Sequence, residues 1–232
     1  MKTLSLFLLL SLYTLAAIAQ VNPDTAARTS KHFYVGLGLT TITYHIYYDE
    51  QEKLGDSKTG YFTPVTLHVS YAITDRLNIQ AGIGYGGSKA KREWSPNHNP
   101  NDPVKYKDRS VTHVLSVPVS AKFIFFKALR RFPVYGTFTL MPSFGFSKAE
   151  SEEITDTNTT TTVVKVNDMN VFATGGLGFN YKISNRFTGY AEYLFYKHNL
   201  TGQNSFDYDW EQASTIGRRI FKSLAIGVNY SL

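Results

Sequence analysis

Two sets of side chains in this sequence have the types and spacing for chemistry. The first is His68-Val69-Ser70, a base and a hydroxyl two residues apart. On a strand such residues share a face, so the imidazole stands where it can take a proton from the serine, as nucleophilic catalysis requires. That arrangement needs a third group to orient the ring. The stretch expected beside it, Gly82-Ile83-Gly84, offers no carboxylate, and no catalytic residue is expected. The second set is charge among small, mostly uncharged neighbours: Lys122, Glu192 and Arg219. An enclosed charge is costly unless paired. Lys122 and Glu192 are therefore expected to meet as a buried pair, joined by Gln80 and Asn78, with Arg219 nearer the outer end. A structural filling of the interior is the plain reading of this network, and a gated ion or proton path the sharper one.

Two polar runs have a different chemistry. Residues 91–109 mix Lys91, Arg92, Lys105, Lys107 and Arg109 with Trp94 and Tyr106, a composition suited to lipid phosphates or a partner protein. Farther on, Glu150, Glu152, Glu153 and Asp156 precede a threonine run, suited to a basic surface or to weak binding of a divalent cation. No metal-ligand spacing stands out, and no cofactor is expected. Gly36-x-Gly38 and Gly82-x-Gly84-x-Gly86 lie inside strand-like segments rather than before helices, which argues against a nucleotide loop. With no cysteine in the chain, thiol chemistry is excluded.

The elements that must position these groups follow from period two. Alternation of large apolar and small or polar residues marks eight segments: 32–48, 61–73, 77–89, 110–126, 132–148, 166–183, 187–199 and a last one from about 214 to the end. Period two means strands, and one apolar face per strand means a sheet between two different environments. Joints at 74–76, 127–131 and 184–186 are tight, whereas 49–60, 90–109, 149–165 and 200–213 are long and polar. All tight joints then lie at one end of an up-and-down sheet. Tyr71-x-Ile73-Thr74-Asp75-Arg76-Leu77 repeats as Tyr181-x-Ile183-Ser184-Asn185-Arg186-Phe187, one turn solution used twice.

The first 19 residues carry Lys2, an apolar run from Leu4 and Ala17-Ile18-Ala19. This is the pattern of a cleaved secretory signal peptide. The expected organisation is a signal peptide over 1–19, a short amino-terminal periplasmic segment over 20–31 and a β-barrel over 32–232. No later stretch is long and apolar enough for a membrane helix, and the mean hydropathy is only −0.20. Yet 15% of residues are aromatic, with 16 Tyr and 16 Phe, more than a core explains. The net charge of +6 suits anionic head groups better than nucleic acid, which an exported chain rarely meets.

The face opposite the large apolar residues is mostly Gly, Ser, Thr, Asn and Gln, poor in the charge a water-facing surface carries. It suits a narrow interior, and the Val, Leu, Ile and Phe face suits hydrocarbon. Each segment supplies the roughly 9–11 residues a tilted strand needs to cross a bilayer. Tyr44, Tyr47, Tyr48, Tyr61, Phe62, Phe123, Phe125, Phe132, Tyr181, Phe187 and Tyr230 gather near segment ends, where interfacial girdles belong. With no water to satisfy edge amides, the sheet must close, so strand one is expected to pair with strand eight. The expected fold is an eight-stranded antiparallel up-and-down transmembrane β-barrel.

The ending Gly227-Val228-Asn229-Tyr230-Ser231-Leu232 resembles the Gly-x-x-aromatic-x-hydrophobic signal read by the outer-membrane assembly machinery. Gly227, Tyr230 and Leu232 carry it. Leu232 stands where Phe is more usual, and Ala225 where a polar residue is common. In pattern the chain resembles the small eight-stranded outer-membrane barrels of the OmpA/OmpX type. The resemblance implies a Gram-negative outer membrane, tight turns in the periplasm and long loops outside. It implies outer-membrane lipids, lipopolysaccharide, the assembly machinery and an extracellular or envelope protein as partners. It favours a non-enzymatic structural or surface-binding role through the long loops. A narrow channel or small-ligand carrier, and an accessory barrel of a secretion machine, are the alternatives. Lipid-modifying barrels present their His and Ser to lipid, whereas His68 and Ser70 fall on the lumen face, so that resemblance fails.

Overall fold

The computed structural model describes residues 33–54, 59–95, 104–128, 132–155, 157–202 and 215–232. The expected signal peptide and periplasmic segment lie outside them. The strands are β1 (Phe33–Thr40), β2 (Tyr44–His45), β3 (Tyr61–Phe62), β4 (Val65–Ala72), β5 (Leu77–Trp94), β6 (Lys105–Ser116), β7 (Val119–Ala128), β8 (Phe132–Ile154), β9 (Thr159–Lys182), β10 (Phe187–Asn199) and β11 (Leu224–Ser231). A six-residue helix, α1 (Ile216–Phe221), precedes β11.

All but β2 and β3 form one antiparallel ring. β1 pairs with both β4 and β11, and the chain of pairings β4–β5, β5–β6 and β5–β7, β6–β8 and β7–β8, β8–β9, β9–β10, β10–β11 returns to it. β6 and β7 are two halves of one stave. Pro118, which has no N–H to donate, interrupts it, while the Pro118 carbonyl still accepts from Gly82 and Val117 N donates to Pro142. The barrel therefore has eight staves, closed by seven residue pairs from Tyr34↔Ser231 to Thr40↔Ala225. Closure satisfies the backbone without water, as a lipid environment demands.

Polarity is inverted relative to a soluble protein. Leu67, Ile83 and Ile226 are 60%, 63% and 53% exposed, while His68 and Ser116 are 1% and 0% exposed. Strand neighbours thus divide between a lipid-facing apolar surface and a polar lumen. At the tight-turn end, rings couple adjacent staves: Phe33 with Tyr71, Phe132 with Tyr181 and Phe187 with Tyr230, at centroid distances of 4.8, 5.5 and 5.2 Å. The repeated turn is closed by one device. Thr74 Oγ1 accepts from the amides of Arg76 and Leu77, and Ser184 Oγ from those of Arg186 and Phe187.

Several boundaries differ from the alternation reading. The first strand stops at Thr40, not 48, and the second begins at Val65, not 61. Of the described residues, 41–48 and 59–62 instead turn into the lumen. Their alternation is real, but Ile42, Tyr44, Ile46 and Tyr48 bury against the inside of the barrel. Period two establishes an extended chain and leaves open which surface it packs on. Among the described residues the expected long loops at 90–109 and 149–165 are mostly strand, since β5 runs on to Trp94, β6 starts at Lys105, β8 reaches Ile154 and β9 starts at Thr159. The eighth strand starts at Leu224 rather than near 214, because α1 occupies 216–221.

Candidate functional site

The lumen is filled in two tiers. The lower tier, toward the tight turns, is polar. Lys122 Nζ of β7 lies 2.8 Å from Glu192 Oε1 of β10, both side chains nearly sealed from solvent. Tyr135 Oη of β8 donates to the same carboxylate oxygen at 2.9 Å. The ammonium also sits over two rings, 4.3 Å from the Tyr190 centroid and 5.4 Å from that of Tyr135. Small residues make room for these large ones. A Cβ on Gly178 would lie 2.7 Å from the Tyr135 ring and 2.8 Å from Glu192 Cγ, and one on Gly227 would lie 2.4 Å from Tyr190. Gly227, expected as part of the assembly signal, thus has a packing role in the barrel as well.

The other lumen residues divide. Ser70 Oγ donates to Gln80 Oε1 at 3.4 Å. Asn78 is the cross-strand partner of Lys122, yet its Oδ1 has no hydrogen-bond partner. Gln80 shares with Lys122, Glu192 and Tyr190 the lining of a cavity of about 70 Å³ beneath Tyr44. Arg219 is a correction. It stands on α1 and is exposed, because the segment before β11 winds as a helix instead of continuing the stave. Tyr230 faces outward against Phe187, its hydroxyl accepting from Arg186 Nη1 at 3.0 Å, and Leu232 N donates to Phe33 O.

His68 and Ser70 do not form a base–nucleophile pair. His68 Nε2 is bonded to Asn229 Oδ1 at 2.7 Å, its Nδ1 has no partner, and Ser70 is engaged by Gln80. A buried ring oriented by an amide and a serine turned to another residue lack the proton path that nucleophilic catalysis needs.

The upper tier is the inserted segment, an apolar plug. Tyr44 stacks on Phe62 at 5.3 Å and meets Phe172 edge-on at 5.1 Å. Ile46 and Phe172 are fully buried. Hydrogen bonds clamp the plug to the wall. Tyr48 Oη bonds Ser147 Oγ at 2.7 Å, Ser147 bonds Thr112 Oγ1 at 2.7 Å, and Gly60 N donates to that Thr112 oxygen at 2.9 Å. Asn170 holds Tyr47 through both backbone groups, accepting from its N and donating to its O at 3.0 Å each. His45 Nε2 bonds Thr59 O at 2.9 Å, and burial pushes its imidazole down to about 4 despite that bond. The alternation of 42–48 signalled an extended apolar segment here. Tyr135 and Tyr190, large rings on the small-residue face, were the visible sign that the lower lumen is crossed by bulky side chains.

Above the plug the ring is lopsided. β5, β6, β8 and β9 continue outward as a four-stranded sheet, paired from Lys91↔Arg109 to Trp94↔Tyr106, from Arg109↔Glu150 to Lys105↔Ile154, and from Glu150↔Val163 to Ile154↔Thr159. Opposite them β1, β4 and β11 have eight residues each. Among the described residues, no strand pairs with the β10 side of β9 outside Phe172–Lys182. The sheet therefore presents an edge rich in β-branched residues, Thr159 to Val164.

Known proteins of similar form are outer-membrane proteins. Ail, the attachment invasion locus protein of Yersinia pestis, is 10% identical over 87% of this chain and 93% of that chain, with a TM-score of 0.34. A major outer membrane protein from Thermus thermophilus is 13% identical over 88% of this chain and 100% of that chain, at 0.39. CarO2 of Acinetobacter baumannii is 12% identical over 87% and 99%, at 0.27. No match was found among curated proteins. A model of the family described as outer membrane protein beta-barrel domain matches residues 5–231, and the chain belongs to that family, a transmembrane barrel of the Gram-negative outer membrane.

Proposed function

We propose that this chain is a non-enzymatic surface-binding protein whose binding element is the projecting sheet of β5, β6, β8 and β9. One observation carries the reading: the lumen is filled twice over, by the apolar plug around Ile46 and by the Lys122–Glu192–Tyr135 cluster beneath it. A path for ions or a small ligand would have to displace both. The remaining distinctive feature is the sheet; among the described residues no strand pairs with its β9 edge over Thr159–Val164, the kind of edge that accepts a partner strand. The partner class is an extracellular or envelope protein with an extended segment. The absence of a base–nucleophile arrangement at His68 and Ser70 supports the non-enzymatic part.

The test combines crosslinking with conductance. A photoreactive residue at Thr160 or Thr162 is expected to capture a discrete protein on whole cells, and one at Lys182, at the other end of β9, is not. The purified chain is expected to give no unit conductance steps in planar bilayers. Steps that vanish with Lys122→Met, together with no capture at Thr160 or Thr162, would overturn the proposal in favour of a channel.

A further inference from the structure

The outward face at the base of the projecting sheet carries charge in a pattern that needs a counter-ion. Cross-strand register places Lys89, Val111, Lys148 and Lys165 in one row, with Lys148 directly opposite Lys165. The next row outward holds Lys91, Arg109, Glu150 and Val163, with Lys91 directly opposite Arg109. Like charges at directly opposed positions destabilise a sheet, and here two such pairs occur in adjacent rows. Glu150 is the single carboxylate among them. It takes a short hydrogen bond from Lys148, which holds its carboxyl below the usual range. Farther out, Glu93 lies 3.8 Å from Lys107. Five cations against one carboxylate leave a strong positive excess over two rows.

Directly below, the same face loses its lysines and arginines and, one row further, turns apolar. The row Gly87, His113, Phe146, Asn167 is followed by Tyr85, Leu115, Phe144, Met169. A groove of about 430 Å³ lies where the two zones meet, lined by Val111, His113, Phe146, Lys148, Lys165 and Asn167. Strands in such barrels tilt by about 35–45°. A row crossing three inter-strand gaps of about 4.8 Å therefore climbs by roughly 10 Å, reaching from the acyl boundary into the head-group layer.

We propose that this groove is a binding site for a phosphorylated glycolipid of the outer leaflet, of the lipopolysaccharide type. Its phosphates lie between Lys148, Lys165, Lys89 and the Lys91–Arg109 pair, and its acyl chains run down Phe146, Leu115 and Met169. Continuity with the lipid-facing belt favours a membrane lipid over a soluble polyanion. A soluble molecule would leave the apolar half of the groove to the bilayer. The proposal rests on the outer-membrane location and is independent of what the sheet edge binds.

The test uses the folded chain in detergent and native mass spectrometry with two synthetic probes, bis-phosphorylated lipid A and the same lipid without phosphates. The phosphorylated lipid is expected to bind more tightly. Lys148→Gln with Lys165→Gln is expected to weaken it by about tenfold to thirtyfold, at about one tenfold step or less per lysine near an anionic surface. Lys182→Gln, at the tight-turn end, is expected to leave it unchanged. Without lipid, relieving the opposed pair is expected to leave the heat-modifiable gel shift at the same or a higher temperature. Equal binding of both lipids by the wild-type chain overturns the proposal, and that comparison needs no variant to fold. Unchanged binding by the folded double variant overturns it as well. Displacement of lipid A by a sulfated polysaccharide at equal charge would reassign the surface to a soluble polyanion.

Discussion

Replacing Lys122 by methionine and Glu192 by glutamine, singly and together, separates the forces that hold the lower lumen. In the wild-type chain the carboxylate has two donors, Lys122 at 2.8 Å and Tyr135 at 2.9 Å. Lys122→Met leaves it buried with the phenol alone, and an uncompensated buried charge costs about 3–5 kcal/mol. Glu192→Gln leaves the ammonium instead, but that group keeps the faces of Tyr190 at 4.3 Å and Tyr135 at 5.4 Å. Cation–π attraction away from water is worth about 2 kcal/mol, so this variant should lose only about 1–3 kcal/mol. The double variant removes both charges and keeps similar volumes, and such replacements are often neutral. It should recover at least about 2 kcal/mol relative to Lys122→Met. Urea titration of the folded chain in micelles, read by the heat-modifiable gel shift and by circular dichroism, gives all three values. The reasoning is refuted if Glu192→Gln is the more damaging single change. It is also refuted if both singles stay within about 1 kcal/mol of wild type.

Three further outcomes follow from the same geometry. The opened plug takes up a proton on His45 from about pH 6.5 downward, whereas the closed plug resists until about 4. Closure is therefore at full strength above 6.5 and loses on the order of 3 kcal/mol as pH falls toward 4. Hydrogen exchange at Ile46, corrected for intrinsic rates, should show that slope, and His45→Gln should abolish it. Phe172→Ala removes a fully buried ring from beneath Tyr44 and should cost about 3–5 kcal/mol; exchange protection across 41–48 should fall while the stave pairings persist. Gly178→Val sets side-chain carbon against the Tyr135 ring and should destabilise the barrel by about 1–3 kcal/mol as an overpacking change, measured by the same urea titration.

Most of the barrel was legible because a membrane wall imposes one rule on every stave. Leu67, Val69 and Tyr71 outward with His68 and Ser70 inward is a pattern that a shift of one residue would invert entirely. The tight turns were legible because Thr74 and Ser184 are caps whose hydrogen bonds are local. The plug was not. Ile42, Tyr44, Ile46 and Tyr48 alternate just as a stave does, and only the long-range bonds to Ser147, Thr112 and Asn170 distinguish a strand in the lumen from one in the wall. The projecting sheet was hidden for a related reason. Charged and threonine-rich strands paired beyond the lipid lose the apolar face, so Ala90–Trp94 and Thr159–Val164 read as loop. Arg219 was misplaced because alternation was carried upstream of Leu224 into residues that wind as a helix.

The two fillings of the lumen are not redundant, and their difference bears on what the sheet can do. The lower cluster spans β7, β8 and β10 by charge and hydrogen bonds, which fix distance and direction between staves. The plug contributes apolar area against Val114, Met141, Phe172 and Leu194, on β6, β8, β9 and β10. Three of those strands, or the staves they extend, are the ones that leave the membrane as the projecting sheet. A four-stranded sheet whose β9 side has no pairing strand among the described residues would bend or slip if its root were a hollow tube. Here its root is packed to the interior from one side and held by bilayer from the other. On this reasoning the plug acts on the sheet through rigidity, and a variant that loosens it, such as Phe172→Ala, should also slow or abolish capture of a partner at Thr160 without altering any residue of the sheet edge.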